Sequence, residues 1–160
     1  MRRVEILAAT LILCAGVLTG CSIPTIVGGG DQSLACDGGD VAISSGTGDY
    51  RVTGVCPRVH VDGNDLEVDL EGAEVGALVV RGDGNEIDAA DVSDLQVAGQ
   101  DNDIEATSID VVAIRGDRNS LDSTGIIGSV SIQGNDNDVE GQSVGEVVDR
   151  GQGNRIGSDD

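Results

Sequence analysis

Aliphatic and polar residues alternate along most of the chain after about residue 34, and short glycine-rich segments interrupt the alternation at regular intervals. Alternation with a period of two predicts β-strands, and the glycine-rich segments predict tight turns between them. In five of these turns a glycine is followed three residues later by an asparagine, and the asparagines recur every 17 or 18 residues. They are Asn85, Asn102, Asn119, Asn137 and Asn154, and Asn64 belongs to a sixth, shortened copy. The chain is therefore an array of short internal repeats.

Each repeat also places its aliphatic residues at constant distances from the asparagine. Two alternate aliphatics precede the glycine, as Leu78 and Val80 do, and another follows two residues after the asparagine, as Ile87 does. A further aliphatic completes the repeat near Val92, Ile109, Ile126 or Val144. A unit this short cannot bury its own apolar side, so the copies must stack on one another.

Stacked strand-and-turn repeats predict an all-β, single-domain parallel β-helix, or β-solenoid, with coils of about 17–18 residues. In that fold the six asparagines form an inward-facing amide ladder at one corner, each bonded to its neighbours and to turn backbone. We expect right-handed winding, the usual hand of parallel crossovers, although a coil of 17 or 18 residues also suits a left-handed helix. An antiparallel meander or sandwich of the same strands is the alternative. That arrangement does not explain why every asparagine occurs at the same position of its repeat.

The N-terminus has the pattern of a bacterial lipoprotein signal. Arg2 and Arg3 precede an apolar stretch at 6–17, and Leu18-Thr19-Gly20-Cys21 matches the processing site at which a cysteine becomes the first residue of the mature chain. An ordinary cleaved signal or an uncleaved anchor is the alternative, but the stretch is short against the roughly 20 residues of a spanning helix. We therefore predict a signal peptide at 1–20, a lipidated Cys21, and anchoring on the extracytoplasmic side of a bacterial cell membrane.

Two further cysteines remain after Cys14 leaves with the signal and Cys21 receives its lipid. Cys36 and Cys56 are separated by 20 residues, roughly one coil, so they lie on adjacent turns of a solenoid. Exported proteins form disulfides readily, and we predict a bridge between these two cysteines. The chain then divides into the signal peptide, a lipidated cysteine with a flexible linker at 21–33, and a solenoid domain at 34–160.

Composition narrows the possible partners. The formal net charge is −20, and the chain contains 25 glycines, one tyrosine, and neither phenylalanine nor tryptophan. Strong negative charge excludes nucleic acid as a natural partner, because phosphates repel it. The scarcity of aromatic residues indicates a thin aliphatic core, which suits a regular array.

The alternation also predicts one acidic surface. If each asparagine and the aliphatic two residues later point inward, the residues one and three after the asparagine point outward together. Nine of these ten positions carry carboxylates: Asp65, Glu67, Glu86, Asp88, Asp103, Glu105, Asp122, Asp138 and Glu140. One interpretation is a surface for Ca²⁺ or another cationic partner, because regularly spaced oxygens suit hard cations. The other is solubility, because charge keeps a flat β-face from aggregating.

Catalytic motifs are missing from the sequence: there is no nucleophile elbow, no zinc-protease helix motif and no phosphate-binding loop. We expect a non-enzymatic binding or structural module, anchored to the membrane by lipid, that takes a protein or cell-envelope ligand and needs no cofactor. The alternative is a weak divalent-cation (Ca²⁺) binding protein that uses the acidic surface. A carbohydrate-active β-helix enzyme is a third, remote possibility, since such enzymes use wider coils and longer loops.

Three segments together resemble a known family. Cys36-Asp-Gly-Gly-Asp-Val-Ala-Ile, Val52-Thr-Gly-Val-Cys56 and Val59-His-Val-Asp-Gly-Asn64, followed by the later glycine–asparagine copies, look like the domain-of-unknown-function 3060 family of exported bacterial proteins, which are often lipoproteins. The likeness runs from about Leu34 to Ile156. It implies a small β-helical domain and no established activity.

Overall fold

Every regular element that the structure describes is a β-strand. The computed structural model describes residues 25–26, 31–44 and 48–158, so Cys21 and the predicted signal at 1–20 lie outside the described residues. The strands are β1 (Thr25–Ile26), β2 (Gln32–Asp37), β3 (Val41–Ser44), β4 (Gly48–Asp62), β5 (Leu66–Arg81), β6 (Glu86–Ala98), β7 (Asp103–Arg115), β8 (Ser120–Gln133), β9 (Asp138–Asp149) and β10 (Arg155–Ser158).

The strands pair in parallel, each with the strand one coil further along the chain. The order is β1-β3-β4-β5-β6-β7-β8-β9-β10, with β2 also paired to β4. Consecutive parallel neighbours require the chain to wind through a full turn between them, which confirms the all-β solenoid and rules out the antiparallel meander. Right-handed winding stays a prediction.

Strand pairing begins earlier than the sequence indicated. Thr25 and Ile26 pair with Ala42 and Ile43, and β2 begins at Gln32, so parts of the predicted linker at 21–33 belong to the sheet. The expectation was wrong there because nearby glycines suggested a flexible segment, whereas pairing to a neighbouring coil supplies these residues with backbone partners.

The core is a set of stacked aliphatic columns. One column contains Leu78, Leu95, Val112 and Val130, which occupy matching positions in successive strands and are all buried. Paired positions of neighbouring coils lie about 4.8 Å apart, and their buried side chains belong to one hydrophobic cluster. The core is therefore continuous along the solenoid although no single coil has one of its own.

One predicted core position was wrong. Ile127, which is 0% exposed, pairs with Ile109, whereas Ile126 is 59% exposed. The coil with 18 residues has its extra residue between Ser123 and Ile127, where the register of β7 and β8 shifts. A one-residue shift exchanges inward and outward side chains, so the following residue enters the core.

The predicted disulfide is present between Cys36 and Cys56, with a Cα–Cα distance of 5.1 Å. It joins β2 to β4, and both cysteines are buried in the N-terminal part of the core. Closing a ring of this size constrains the unfolded chain and stabilises the fold by on the order of 3 kcal/mol. The bridge secures the least regular end of the array.

Candidate functional site

An asparagine ladder sets the geometry of every later turn. Asn102 Oδ1 accepts hydrogen bonds from the backbone N and the Nδ2 of Asn85, at 3.1 and 2.8 Å. Asn102 Nδ2 donates to Asn119 Oδ1 at 2.9 Å and to the Gly82 carbonyl at 3.0 Å. The same pattern links Asn85, Asn102, Asn119, Asn137 and Asn154. The ladder is confirmed for these five residues, and it holds each turn in one conformation.

The ladder prediction was wrong for Asn64. Asn64 is exposed, and its Oδ1 accepts one bond from the backbone N of Asp83 at 2.8 Å. Leu66 occupies the ladder position of this coil, and its backbone N donates to Asn85 Oδ1 at 3.2 Å. The turn has the same length as the next one, and Asn64 occupies the position of Asp83 in it, two residues before the inward corner, so the ladder begins at Asn85.

An aspartate ends the ladder at the other side. Asn154 has no following asparagine, and its Nδ2 donates to Asp149 Oδ1 at 2.8 Å. Asp149 Oδ1 also accepts from the backbone N of Gly151 at 2.8 Å. Sequence reasoning missed this role of Asp149. The repeat indicated it, because Asp149 stands at the inward position that the buried Ile132 occupies in the preceding coil.

The residue before each ladder asparagine adopts a left-handed backbone conformation. The φ angles are 55° at Asp101, 57° at Arg118 and 56° at Asp136, and glycines occupy the same position as Gly84 and Gly153. Such a residue turns the chain sharply. The turn points the asparagine inward, and the strand that follows then directs alternate side chains outward.

Those outward side chains form two rows of mainly acidic residues, which together we call the acidic face. The first row contains Asp49, Glu67, Glu86, Asp103, Ser120 and Asp138. The second contains Asp69, Asp88, Glu105, Asp122 and Glu140. Eight of the nine predicted carboxylates therefore lie on one surface.

Asp65 was placed wrongly. Its φ angle is 53°, and it belongs to the turn at the position of Gly84, where its backbone N donates to the Asp83 carbonyl. Asp49 and Asp69 lie on the acidic face although the sequence did not indicate them. The misplacement of Asp65 and the omission of Asp69 follow from the position of Asn64, from which this coil had been numbered. Asp49 belongs to the preceding coil, which has Gly48 where Leu66 and the later asparagines stand.

Stacked carboxylates repel one another across the coils. Neighbours about 5 Å apart repel by roughly 0.9 kcal/mol even at the dielectric constant of water. Asp49 is the main cause of a raised pKa at Glu67, followed by desolvation and by the charges of Glu86 and Asp88. Because the folded state binds this proton more tightly, the repulsion at Glu67 opposes folding at neutral pH and is relieved as the pH falls through its raised pKa.

Arginines pair with two carboxylates on neighbouring coils, one on the acidic face and one in a turn. The Arg51 guanidinium donates to Asp69 Oδ2 at 2.7 Å and lowers the pKa of that carboxyl. Arg118 binds both carboxylate oxygens of Asp101, at 2.7 and 2.8 Å, and lowers the pKa of Asp101 in the same way. Sequence reasoning missed these pairs. The sequence indicated them, because in each pair an arginine and an aspartate are separated by one coil, 18 or 17 residues.

A shallow groove of about 290 Å³ runs along the acidic face. Its small residues include Ala89, Ala106 and Ser123, which are buried at the corner of successive coils. Its carboxylates are Glu71, Asp88, Glu105, Asp122 and Glu140. The groove can therefore offer a row of evenly spaced negative charges to an extended cationic ligand.

The carboxylates stand side by side and do not converge. Within the part of the chain that the structure describes, no three carboxylate, cysteine or histidine side chains come together as a set able to hold a metal ion. Asp138 has one buried oxygen, Oδ1, without a hydrogen-bond partner, while its Oδ2 accepts from Arg155 at 3.2 Å. The face presents charge in rows rather than a closed coordination sphere.

Comparison with known proteins adds no assignment. No family model, no curated protein and no solved structure matches the chain. The resemblance to the domain-of-unknown-function 3060 family stays a prediction. Among the described residues, no helix is long and apolar enough to cross a membrane.

Proposed function

We propose that the protein is an extracytoplasmic lipoprotein, anchored to a bacterial cell membrane through Cys21, whose solenoid is a non-enzymatic binding or structural module. The acidic face is the observation that carries this proposal. Because each coil is hydrogen-bonded to its neighbours, the backbone positions that carry the carboxylates of the two rows keep a spacing of about 4.8 Å. An array of like charges on a regular backbone is suited to binding a cationic protein segment or envelope component without catalysing a reaction.

The charge of the domain also bears on its position at the membrane. Anionic headgroups repel a chain of net charge −20, so the domain should stand away from the lipid surface. The acidic face would remain open to partners on the outer side of the membrane.

The anchor is tested by changing Cys21→Ser in the full chain. We expect this variant to move from the membrane fraction to the soluble exported fraction, because no thiol remains to carry the acyl chains. The measurement is fractionation followed by immunoblotting. Cys14→Ser is the matched control, since Cys14 lies within the signal, and it should stay with the membrane. A soluble wild-type protein, or identical behaviour of the two variants, would refute the anchor.

The second candidate function is weak binding of divalent cations. The raised pKa of Glu67 favours it, because like-charge repulsion on the acidic face is the energy that a bound cation would relieve. Two stacked carboxylates in the folded state can share one ion, whereas the unfolded chain does not hold them together. Such an ion stabilises the folded state by mass action.

Thermal melts distinguish this candidate from a purely solubilising role. We expect CaCl₂ to raise the melting temperature more than NaCl of equal ionic strength, which supplies screening alone. The combined variant Glu86→Gln, Asp88→Asn, Asp103→Asn and Glu105→Gln should lose the extra rise and be more stable without calcium. A control with the same number of changes elsewhere, Glu74→Gln, Asp91→Asn, Asp94→Asn and Asp110→Asn, should keep it. Coincident curves in the two salts would exclude cation binding.

A further inference from the structure

A second surface of the solenoid carries almost no net charge, and we call it the neutral face. The first, third and fifth residues of six paired strand segments point outward there and form three rows along the solenoid, because the second and fourth residues take the inward positions. These outward positions hold four arginines and three carboxylates, whereas the whole chain carries −20. The six segments are 58–62, 77–81, 94–98, 111–115, 129–133 and 146–150.

The arginines that lack an ion pair all lie on the neutral face. Among the described residues, Arg58, Arg115 and Arg150 make no ion pair, while each of the other four described arginines binds an aspartate of a neighbouring coil. The chain contains 29 acidic residues, so carboxylates are not scarce. Three guanidinium groups without a carboxylate on one surface are therefore available to a partner that brings one.

The neutral face is also built to let another flat surface come close. Alanine or serine occupies many of its outward positions, including Ala77, Ala98, Ala113, Ser129 and Ser131. Six strands about 4.8 Å apart, each with five residues of about 3.3 Å, cover roughly 500 Å², so two such faces bury about 1,000 Å² in total. That area reaches the size at which a specific interface begins.

A second copy fits on the neutral face in an antiparallel arrangement. The two copies are then related by a two-fold axis that runs along the strands and passes between segments 94–98 and 111–115. Segment 58–62 of one copy faces segment 146–150 of the other, and the inner segments face each other in the same order. Every outward residue therefore faces a residue of the same row that belongs to a different coil.

The facing charges are opposite in this arrangement. Arg58 faces Glu146, and Asp62, which also accepts from Arg81 of its own chain, faces Arg150. The symmetry forms each of these pairs twice, and no two like charges are directly opposed, which favours this partner over one of unmatched charge. Arg58 and Arg150 thereby gain the carboxylates that the described residues of their own chain do not supply.

The middle row decides between antiparallel and parallel copies. In the antiparallel pair His60 faces Val148 and Gln96 faces Ala113, so a larger side chain meets a smaller one each time. In a parallel pair each residue of this row would face its own counterpart, and Gln96 would meet Gln96 while Ala113 met Ala113. Close packing opposes large side chains to small ones, so the antiparallel pair leaves fewer gaps.

We propose that the neutral face is a docking surface for a second copy of this chain, which lies on it antiparallel about the axis between segments 94–98 and 111–115. The same patch serves both copies, so the contact is isologous and closes as a dimer. The acidic face belongs to other segments of each coil and stays uncovered. The dimer therefore goes beyond the binding role proposed for the acidic face and does not depend on it.

Crosslinking between two differently tagged full-length chains tests this pairing. One chain carries His60→Cys and the other Val148→Cys, and a short bismaleimide is added after the two are mixed. These positions face each other in the antiparallel pair but lie five coils, about 24 Å, apart in a parallel one. We expect a crosslinked dimer that carries both tags, several-fold more abundant than any dimer formed by either variant alone.

Two controls fix the background of this experiment. The parent chain without an added cysteine is treated in the same way, and its Cys36–Cys56 disulfide leaves no thiol at those positions. Thr107→Cys replaces Val148→Cys in the second control, because Thr107 is exposed but lies beside the groove of the acidic face. Both should give only the yield of chance collision.

Charge reversal then tests the facing pairs. Arg58→Glu in both tagged chains turns two attractive pairs into two repulsive ones and should lower the yield of the mixed dimer on the order of tenfold. Adding Glu146→Arg restores opposite charges and should restore the yield, whereas in a parallel pair Arg58 would face Asp62 and the second change would not help.

Four results would overturn the proposal. They are a mixed dimer no more abundant than in the controls, crosslinks that join each variant mainly to itself or to a different protein, an unchanged yield with Arg58→Glu, and no recovery with the added Glu146→Arg.

Discussion

Replacing Asn102 by alanine is expected to destabilise the protein by about 3–5 kcal/mol, because several buried hydrogen bonds lose a partner at once. Asn85 would lose the acceptor of its backbone N and of one Nδ2 hydrogen, and the Gly82 carbonyl would lose a donor. The site is buried, so water cannot readily replace the amide. Chemical denaturation followed by circular dichroism measures the loss.

Asn64→Ala is the matched control for that change. Asn64 has the same side chain in a turn of the same array, but it is exposed and accepts one bond, from the backbone N of Asp83. We expect it to cost less than about 1 kcal/mol. Equal losses for the two variants would show that the ladder does not stabilise the turns.

Replacing Gly116 by alanine should have an effect of similar size, about 3–5 kcal/mol, through overlap and backbone strain. The added methyl group would overlap the Gly99 carbonyl oxygen of the preceding coil, and the φ angle of 139° is one that alanine rarely adopts. The oxygen belongs to hydrogen-bonded backbone and has little freedom to retreat. The free energy of unfolding, again from denaturant titration, is the measurement.

Gly39→Ala separates this clash from a general intolerance of alanine in turns. A methyl group at Gly39 meets no heavy atom within 4 Å, and Gly39 is not among the glycines with positive φ. We expect its stability to stay within about 0.5 kcal/mol of the wild type. If Gly116→Ala is as stable as Gly39→Ala, close packing between successive turns is not what requires glycine.

The regular middle of the solenoid was predictable because its signals are local. Asn85 to Asn154 recur at one phase, and the side chains around them alternate between inside and outside as a strand requires. The acidic rows from Glu86 to Glu140 follow from the same alternation. The Cys36–Cys56 bridge followed from a spacing of about one coil. None of these conclusions depended on knowing which atoms touch.

The errors fall where a coil departs from the regular repeat. Asn64 lies two residues before the ladder position in a turn of ordinary length, so Leu66 takes the ladder position and Asp65 is a turn residue, while Asp49 and Asp69 complete the acidic rows. Near Ile126 an additional residue shifts the register and brings Ile127 into the core. A motif shows that a repeat is present, but its pairing with the next coil determines which residue fills each position.

The sequence by itself determined the class of fold, the repeat length and the inward or outward direction of residues in the regular coils, because strand alternation is a property of neighbouring residues. Tertiary structure alone decided the register at the irregular coils and the two ends of the ladder. It also decided the pairing of Arg51 with Asp69 and of Asp149 with Asn154. These contacts join residues of different coils or of opposite sides of a turn. Their partners are chosen by the stacking of one coil on the next, which no single repeat encodes.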